Sequence, residues 1–285
     1  MFSPRSRWIA LTLIGMDSTD NIVYASNQRA YLVPSVVRQY GEFRLMRAEA
    51  AVLLEYQPFF AGKRILDIGI GQGRTTIYLA PLASEYVGID SSPLMIDSVR
   101  KSMPQFCAKL GDIRDLGEFD SGYFDFVMAS FNVVDFADDA DRRHILEEIQ
   151  RVLKPGGLFV FSSHNRAVVS LGAHPKLELS VDPARAAVRL FRWIRRMRNY
   201  RNLKHHWVFT DDYAIVSDEG NEFSTLHYYI DHDTQRRQLD ECGFETLDVR
   251  DIDGCRLAVG DIDTSSAYLT YVASKKNPAV QGVIS

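Results

Sequence analysis

Leu66-Asp67-Ile68-Gly69-Ile70-Gly71-Gln72-Gly73-Arg74 sets the fold class of this chain. The apolar run Arg64–Ile68 predicts a short buried strand, and helical character resumes over Arg74–Leu82. Between them, Gly69, Gly71 and Gly73 permit a sharp turn and a close approach of backbone to a ligand. Upstream, residues 42–60 carry apolar positions at helical spacing and stop at Ala61-Gly62-Lys63. Downstream, Tyr86–Asp90 predicts a second strand. Ser91-Ser92-Pro93 then opens a helix with a capping serine and an early proline. Further strands are expected at Cys107–Leu110, Phe124–Ala129 and, after the turn Lys154-Pro155-Gly156-Gly157, at Leu158–Ser162, with a helix over about 138–152. This alternation implies βαβ units and a mostly parallel sheet. It breaks over 165–226 and returns with a helix near 233–242 and strands at Thr246–Val249 and Ser266–Ala273. The expectation is one doubly wound α/β core carrying an insert after strand five.

Such a glycine loop sits where a strand meets a helix N-terminus, the place in these sheets where nucleotide-like ligands dock. Dinucleotide enzymes share the pattern, but here the spacing is Gly-x-Gly-x-Gly, and Asp67 stands two residues before its first glycine. A carboxylate there repels a pyrophosphate and attracts a sulfonium ligand with an α-ammonium group. Asp90 ends strand two, where a carboxylate accepts ribose hydroxyls; a helix N-terminal acid is the plainer alternative. Asp112 with Ile113 follows strand three, placed for an adenine amine and ring, or simply in a turn.

Together these stretches, with Phe124-Asp125-Phe126-Val127 and Arg151-Val152-Leu153-Lys154-Pro155-Gly156-Gly157, resemble the class I S-adenosylmethionine-dependent methyltransferases over about 64–163. The resemblance implies a Rossmann-like, seven-stranded, mostly parallel sheet with its last strand antiparallel. It implies S-adenosyl-L-methionine as cofactor, with Asp67, Gly69 and Gly71 at the methionine portion, Asp90 and Ser91 at the ribose, and Asp112 and Ile113 at the adenine. Met95 matches the position that packs on the other adenine face. Ser130, Phe131 and Asn132 follow strand four, where the family places cofactor-edge and substrate contacts. Similar enzymes hold the methionine carboxylate with an upstream arginine or tyrosine; Arg47 and Tyr31 are the leading candidates, with Arg44 and Tyr40 competing.

The segment Ser130-Phe131-Asn132-Val133 has no proline pair, which disfavours exocyclic amines of nucleic-acid bases as the acceptor. Ser162-Ser163-His164-Asn165 and Leu226-His227-Tyr228-Tyr229-Ile230 resemble the bacterial small-molecule branch of the family. His164, at the end of strand five, is the first candidate general base and His227 the second; a structural histidine is the alternative for each. Asn132, Tyr228 and Tyr229 are candidate substrate contacts. Residues 185–204 hold eight basic and no acidic side chains, interleaved with Leu190, Phe191, Trp193, Ile194 and Met197. Three readings compete: a solvated lid helix, a lid for an anionic substrate, and a helix on an anionic membrane, the last not favoured. The expected layout is N-terminal extension and cap helices over 1–60, cofactor core over 61–164, helical lid insert over 165–230, and the end of the sheet over 231–285.

A formal net charge of −4 gives no global pointer to nucleic acid, and three cysteines suit a reducing, cytoplasmic setting. No apolar run approaches a membrane span. Arg5 to Gly15 superficially resembles a leader without a cleavage site, and Met16 is a possible alternative start. His205-His206-Trp207 and Asp211-Asp212-Tyr213 lack metal spacing, so no metal is expected. Two other functions compete with methyl transfer: a nicotinamide-dependent oxidoreductase, disfavoured by the glycine spacing and the lack of an evident Tyr-x-x-x-Lys couple, and a non-catalytic cofactor-binding partner subunit.

Overall fold

The computed structural model describes residues 22–32, 44–168, 174–178, 180–219 and 221–277. The expectations for Arg5 to Gly15, Met16 and Tyr40 lie outside them. Helix α1 (Ile22–Ala30) leads to α2 (Arg47–Phe60) and then to strand β1 (Arg64–Ile68). The core continues through α3 (Thr76–Leu79), β2 (Glu85–Asp90), α4 (Pro93–Ser102), β3 (Ala108–Leu110) and β4 (Phe124–Ala129). A 3₁₀ turn (Val133–Phe136), α5 (Asp139–Val152) and β5 (Leu153–Asn165) follow.

Strands β3, β2, β1, β4 and β5 lie side by side, all parallel. The apolar strand residues are almost continuously buried, as a sheet covered on both faces demands. Leu66, Ile68, Val127, Phe159 and Phe161 pack under α5, while Ile65, Phe126, Met128 and Val160 pack under α2. The sheet is completed by β9 (Phe244–Arg250) and β10 (Tyr268–Lys275). β10 runs antiparallel to β5, pairing Tyr268 with His164 and Ser274 with Leu158, and it runs antiparallel to β9 as well. These seven strands follow the arrangement the family resemblance implies, within a sheet of ten strands.

The insert departs from a purely helical lid. It holds the long helix α6 (Pro183–Leu203), but also β6 (Val208–Phe209), β7 (Tyr213–Val216) and β8 (His227–Ile230), before α7 (His232–Glu241). β7 is antiparallel to β6 and β8, and β8 joins the tip of β5 in parallel through His164↔Tyr229 and Asn165↔Ile230. The sheet therefore reaches past the end of β4 on a ledge formed by the insert.

Candidate functional site

A cleft with about 950 Å³ of empty space, part of it open to solvent, lies at the carboxyl ends of β1, β2 and β4. Gly69, Gly71, Gln72, Arg74, Asp90, Ser91, Met95, Ile113, Ser130, Phe131, Val133 and Phe136 belong to its wall, and Tyr24, Asn27, Gln28 and Tyr31 close it from the N-terminal side.

The loop geometry explains the glycines. Gly69, Gly71 and Gly73 all have positive φ. A Cβ on Gly69 would lie 2.3 Å from Val133 Cγ2, so that position needs glycine for the fold itself. A Cβ on Gly71 would meet nothing within 4 Å and would project into the cleft. The Gly71 N–H donates to Asp90 Oδ2 at 2.8 Å, and Ser92 N–H donates to Asp90 Oδ1 at 2.8 Å. Burial nevertheless raises the Asp90 carboxyl above its ordinary range. A methyl at Gly71 fills a cradle, not the core. Gly71→Ala is expected to bind S-adenosylhomocysteine roughly tenfold or more weakly while costing about 1 kcal/mol of stability from strain. Isothermal titration and thermal unfolding of the variant check the two halves; undiminished binding would remove the cradle reading.

Asp67 is wholly buried and absent from the cleft wall, so its expected direct place at the ligand is corrected. Its Oδ2 accepts from Thr75 Oγ1 at 2.7 Å and Tyr86 Oη at 2.8 Å, bracing the turn from behind. Its Oδ1 has no hydrogen-bond partner among the described residues. Burial raises the carboxyl from 3.8 to about 6, against the opposing pull of Thr75, Tyr86 and Arg74. The folded chain therefore holds this proton more tightly than the unfolded chain. The resulting stability is full below about pH 4 and is lost as pH rises through about 6. Between pH 4 and 7 this loss amounts to about 2–3 kcal/mol, and Asp67→Asn is expected to abolish that part of the slope. Identical pH dependence of melting in parent and variant would contradict it.

Asp112 is also corrected. It is turned from the cleft wall to an anchoring pair, accepting from Tyr24 Oη at 2.7 Å and from Arg114 Nη2 at 2.8 Å. The guanidinium of Arg114 stacks 3.5 Å from the centre of the Tyr24 ring, which fastens α1 to the end of β3. Arg47 is the clearest miss. It is exposed and pairs with Asp253 at 2.6 Å, because the buried face of α2 runs through Ala48, Glu49, Val52 and Leu53. The arginine that reaches the cleft is Arg74, beside the glycine loop itself. It pairs with buried Glu49, receives Ser130 into the same cluster, and lies 5.2 Å from the centre of the Phe131 ring. Arg44 contributes only its backbone carbonyl, accepting from Arg74. Tyr31 does line the cleft, edge-on to Phe136 at 5.5 Å, and its carbonyl accepts from Ser92.

Beyond Phe136 lies a second group that composition and spacing do not reveal. His164 Nδ1 faces Asp135 Oδ2 at 2.7 Å, and the His164 N–H donates to the same oxygen at 2.6 Å. A carboxylate only accepts, so Nδ1 carries a hydrogen, and Nε2 lies 3.2 Å from Asn132 Nδ2. Burial by itself would raise Asp135, but Arg142 and His164 more than offset it and hold the carboxyl below its usual range. His227 repeats the arrangement: its Nδ1 lies 3.3 Å from Asp218 Oδ2, and Tyr229 donates to that oxygen. Burial pushes Asp218 up, and His227 and Tyr229 bring it well below its usual range. The two imidazoles stack at 4.9 Å and 10°, and Tyr229 tilts against His164 at 4.9 Å. Neither histidine lines the cleft itself; Phe136, edge-on to His227 at 5.3 Å, stands between.

Side chains alternate along β8, so Tyr228 points away from this group. It is buried, its hydroxyl donates to Asp139 at 2.7 Å, and it stacks on Tyr213, which corrects its expected substrate role to one of packing. Asn132 is buried beside His164 in a left-handed turn, with Oδ1 unpartnered among the described residues. His164, Asp218 and His227 also present ligand-type atoms within 4.8 Å of one another, a convergence the expectation of no metal did not foresee. The hydrogen bonds give each histidine its own carboxylate, the arrangement of two acid–base couples.

The parallel sheet with an antiparallel last strand, and a glycine-lined cleft with Asp90 on its wall, form a Rossmann-like methyltransferase fold. Residues 65–157 match the methyltransferase domain family, and S-adenosylmethionine is that family's cofactor. An uncharacterised methyltransferase of Synechocystis sp. is 34% identical over 113 residues, covering 40% of this chain and 52% of that protein. The biotin biosynthesis bifunctional protein BioHC of Cellvibrio japonicus is 36% identical over 115 residues, covering 40% of this chain and 22% of that protein. The chain thus spans about half, or less, of these relatives. Among solved structures, the CcbJ methyltransferase from Streptomyces caelestis has a TM-score of 0.55 at 20% identity, covering 85% of this chain and 96% of that one. A Burkholderia thailandensis 1,6-didemethyltoxoflavin-N1-methyltransferase, solved with S-adenosylhomocysteine, has a TM-score of 0.54 at 12% identity, covering 97% of this chain and 92% of that one. At these identities the likeness is one of fold. Residues 65–157 are thus similar to class I S-adenosylmethionine-dependent methyltransferase domains, and the fold around them is the methyltransferase fold.

Proposed function

We propose that this chain transfers a methyl group from S-adenosylmethionine to an oxygen or nitrogen of a small metabolite, with His164 as general base. The observation that carries the reading is the couple Asp135–His164, set at the tip of β5 beside the cleft.

The empty cradle at Gly71 suits the amino-acid portion of that cofactor, with Arg74 placed for its carboxylate. Asp90, with Ser91 nearby, would hold the ribose hydroxyls, and Met95 and Ile113 would sandwich the adenine. The bound sulfonium supplies an activated methyl group. The protein's larger task is then alignment, which can supply about 7–11 kcal/mol. A base adds to this where the acceptor holds its proton firmly. Asp135 fixes the His164 tautomer, and Nε2 takes the proton as the acceptor atom attacks. Asn132, Tyr229 and residues 165–230 would form the acceptor side.

A thermal-shift comparison tests the cofactor assignment. S-adenosylhomocysteine is expected to raise the melting temperature and NAD to leave it unchanged. The reverse result would revive the oxidoreductase reading. Cofactor binding without methyl transfer to any phenol, amine or carboxylic acid in a broad panel would favour a non-catalytic partner.

A further inference from the structure

Helix α6 is inside out for a surface helix. Ala186, Trp193, Met197, Tyr200 and Leu203 form its half-buried side. Trp193 Nε1 donates to the Pro175 carbonyl at 3.1 Å, and Tyr200 meets Trp207 and Phe223 edge-on at 5.5 and 5.9 Å. Those contacts fix which way the helix faces. The opposite side should be polar. Instead Val188, Phe191 and Ile194 are 60%, 69% and 53% exposed, with Ala184 and Ala187 on the same side. Arg192 and Arg201 flank that side, and Arg195 and Arg198 continue it one turn beyond Phe191 and Ile194. The helix holds seven arginines and no acid, although the whole chain has a formal charge of −4. Arg185, Arg192 and Arg195 keep more than half of their side-chain surface in solvent even where acidic neighbours approach.

We propose that α6 is a membrane-surface helix, lying in the interface of an anionic bilayer with Val188, Phe191 and Ile194 among the acyl chains and the arginines at the headgroups. An apolar stripe flanked by cations, with low overall hydrophobicity, is what such a helix requires. Among the described residues no helix is long and apolar enough to cross a membrane, so α6 lies on the surface and does not span. Charge complementarity selects this occupant over a second copy of the chain, since two copies of α6 would bring like charges together. The exposed phenylalanine and aliphatic side chains select it over RNA, which would be met by the arginines alone. A role in holding an anionic substrate fits less well, because no α6 residue lines the cleft.

The test is flotation of the full chain with vesicles of phosphatidylcholine containing phosphatidylglycerol, and with phosphatidylcholine alone. The chain is expected to float with the anionic vesicles, weakly with neutral ones, and less as salt rises. Phe191→Ser/Ile194→Ser is expected to lower the apparent partition coefficient by about tenfold or more, with the S-adenosylhomocysteine thermal shift unchanged. That unchanged shift separates this proposal from the catalytic reading, because both replaced side chains are exposed and remote from the cleft wall. Absence of flotation with anionic vesicles overturns the proposal, as does equal flotation of the double variant. A dimer in solution that the double variant splits would assign the stripe to a second copy instead.

Discussion

Replacing His164 with alanine is expected to lower methyl transfer by about 10²–10⁴-fold while S-adenosylhomocysteine binds as before. The size follows from what a positioned base contributes when the acceptor keeps its proton at working pH. The selectivity follows from geometry: His164 is outside the cleft wall, and its ring bonds go to Asp135 and Asn132, not to the glycine loop. The measurement is transfer of labelled methyl to a panel of phenols, amines and carboxylic acids, followed by kinetics on any acceptor found. His227→Ala serves as the comparison. Its imidazole is fixed by Asp218 and packs against His164, so its loss disturbs the ring beside the base without removing the base. A smaller fall is expected for it. Full activity of His164→Ala would end the assignment; a large fall only in His227→Ala would exchange the two roles.

What was legible in the sequence is what local chemistry determines. The glycines at 69, 71 and 73 mark a turn whose backbone few other residues adopt, and the carboxylates at 67 and 90 sit at strand ends fixed by that turn. Side-chain direction was less legible. Asp67 and Asp112 stand at the expected strand ends, yet packing turns both toward protein partners. On α2 the choice of face decides everything: Glu49 faces inward and Arg47, two positions earlier, faces water. The insert hid its strands because they are short, and because Ala214, Ile215 and Val216 are all buried and show no alternation. The histidine–carboxylate group was half visible. His164 and His227 carry the chemistry that invites attention. Asp135 and Asp218 arrive from the turn before α5 and the loop after β7, where only the folded register of β5 on β8 brings them together.

Arg142→Met is expected to destabilise the protein by about 3–5 kcal/mol, the effect of leaving one member of a buried ion pair alone. Arg142 is completely buried, and its guanidinium pairs with Asp135, donates to Gln238 at 3.1 Å and to Ser163 at 3.1 Å, and lies 4.6 Å from the centre of the Tyr228 ring. One side chain therefore ties α5 to α7, β5 and β8, the elements that frame the acceptor side. Its electrostatic task is more specific. In the parent, Asp135 is held below the ordinary carboxylate range, so its contribution to stability is present above about pH 4 and is lost as pH falls toward the lowered value. Without Arg142 the carboxyl rises, because one of the groups that offsets burial is gone, and part of that acid-side loss disappears from the melting profile. Arg142 also fixes the Asp135 carboxyl against which His164 is oriented, so its loss lowers turnover beyond what instability explains. Arg142→Met/Asp135→Leu is expected to regain part of the lost stability, because the buried carboxylate that lost its guanidinium is then gone as well, yet to regain no activity. A loss below about 1 kcal/mol in Arg142→Met would show that the pair is not a structural tie. Activity restored in the double variant would show that Asp135 is no part of the base. The two results separate the scaffold function of this buried pair from its hold on His164.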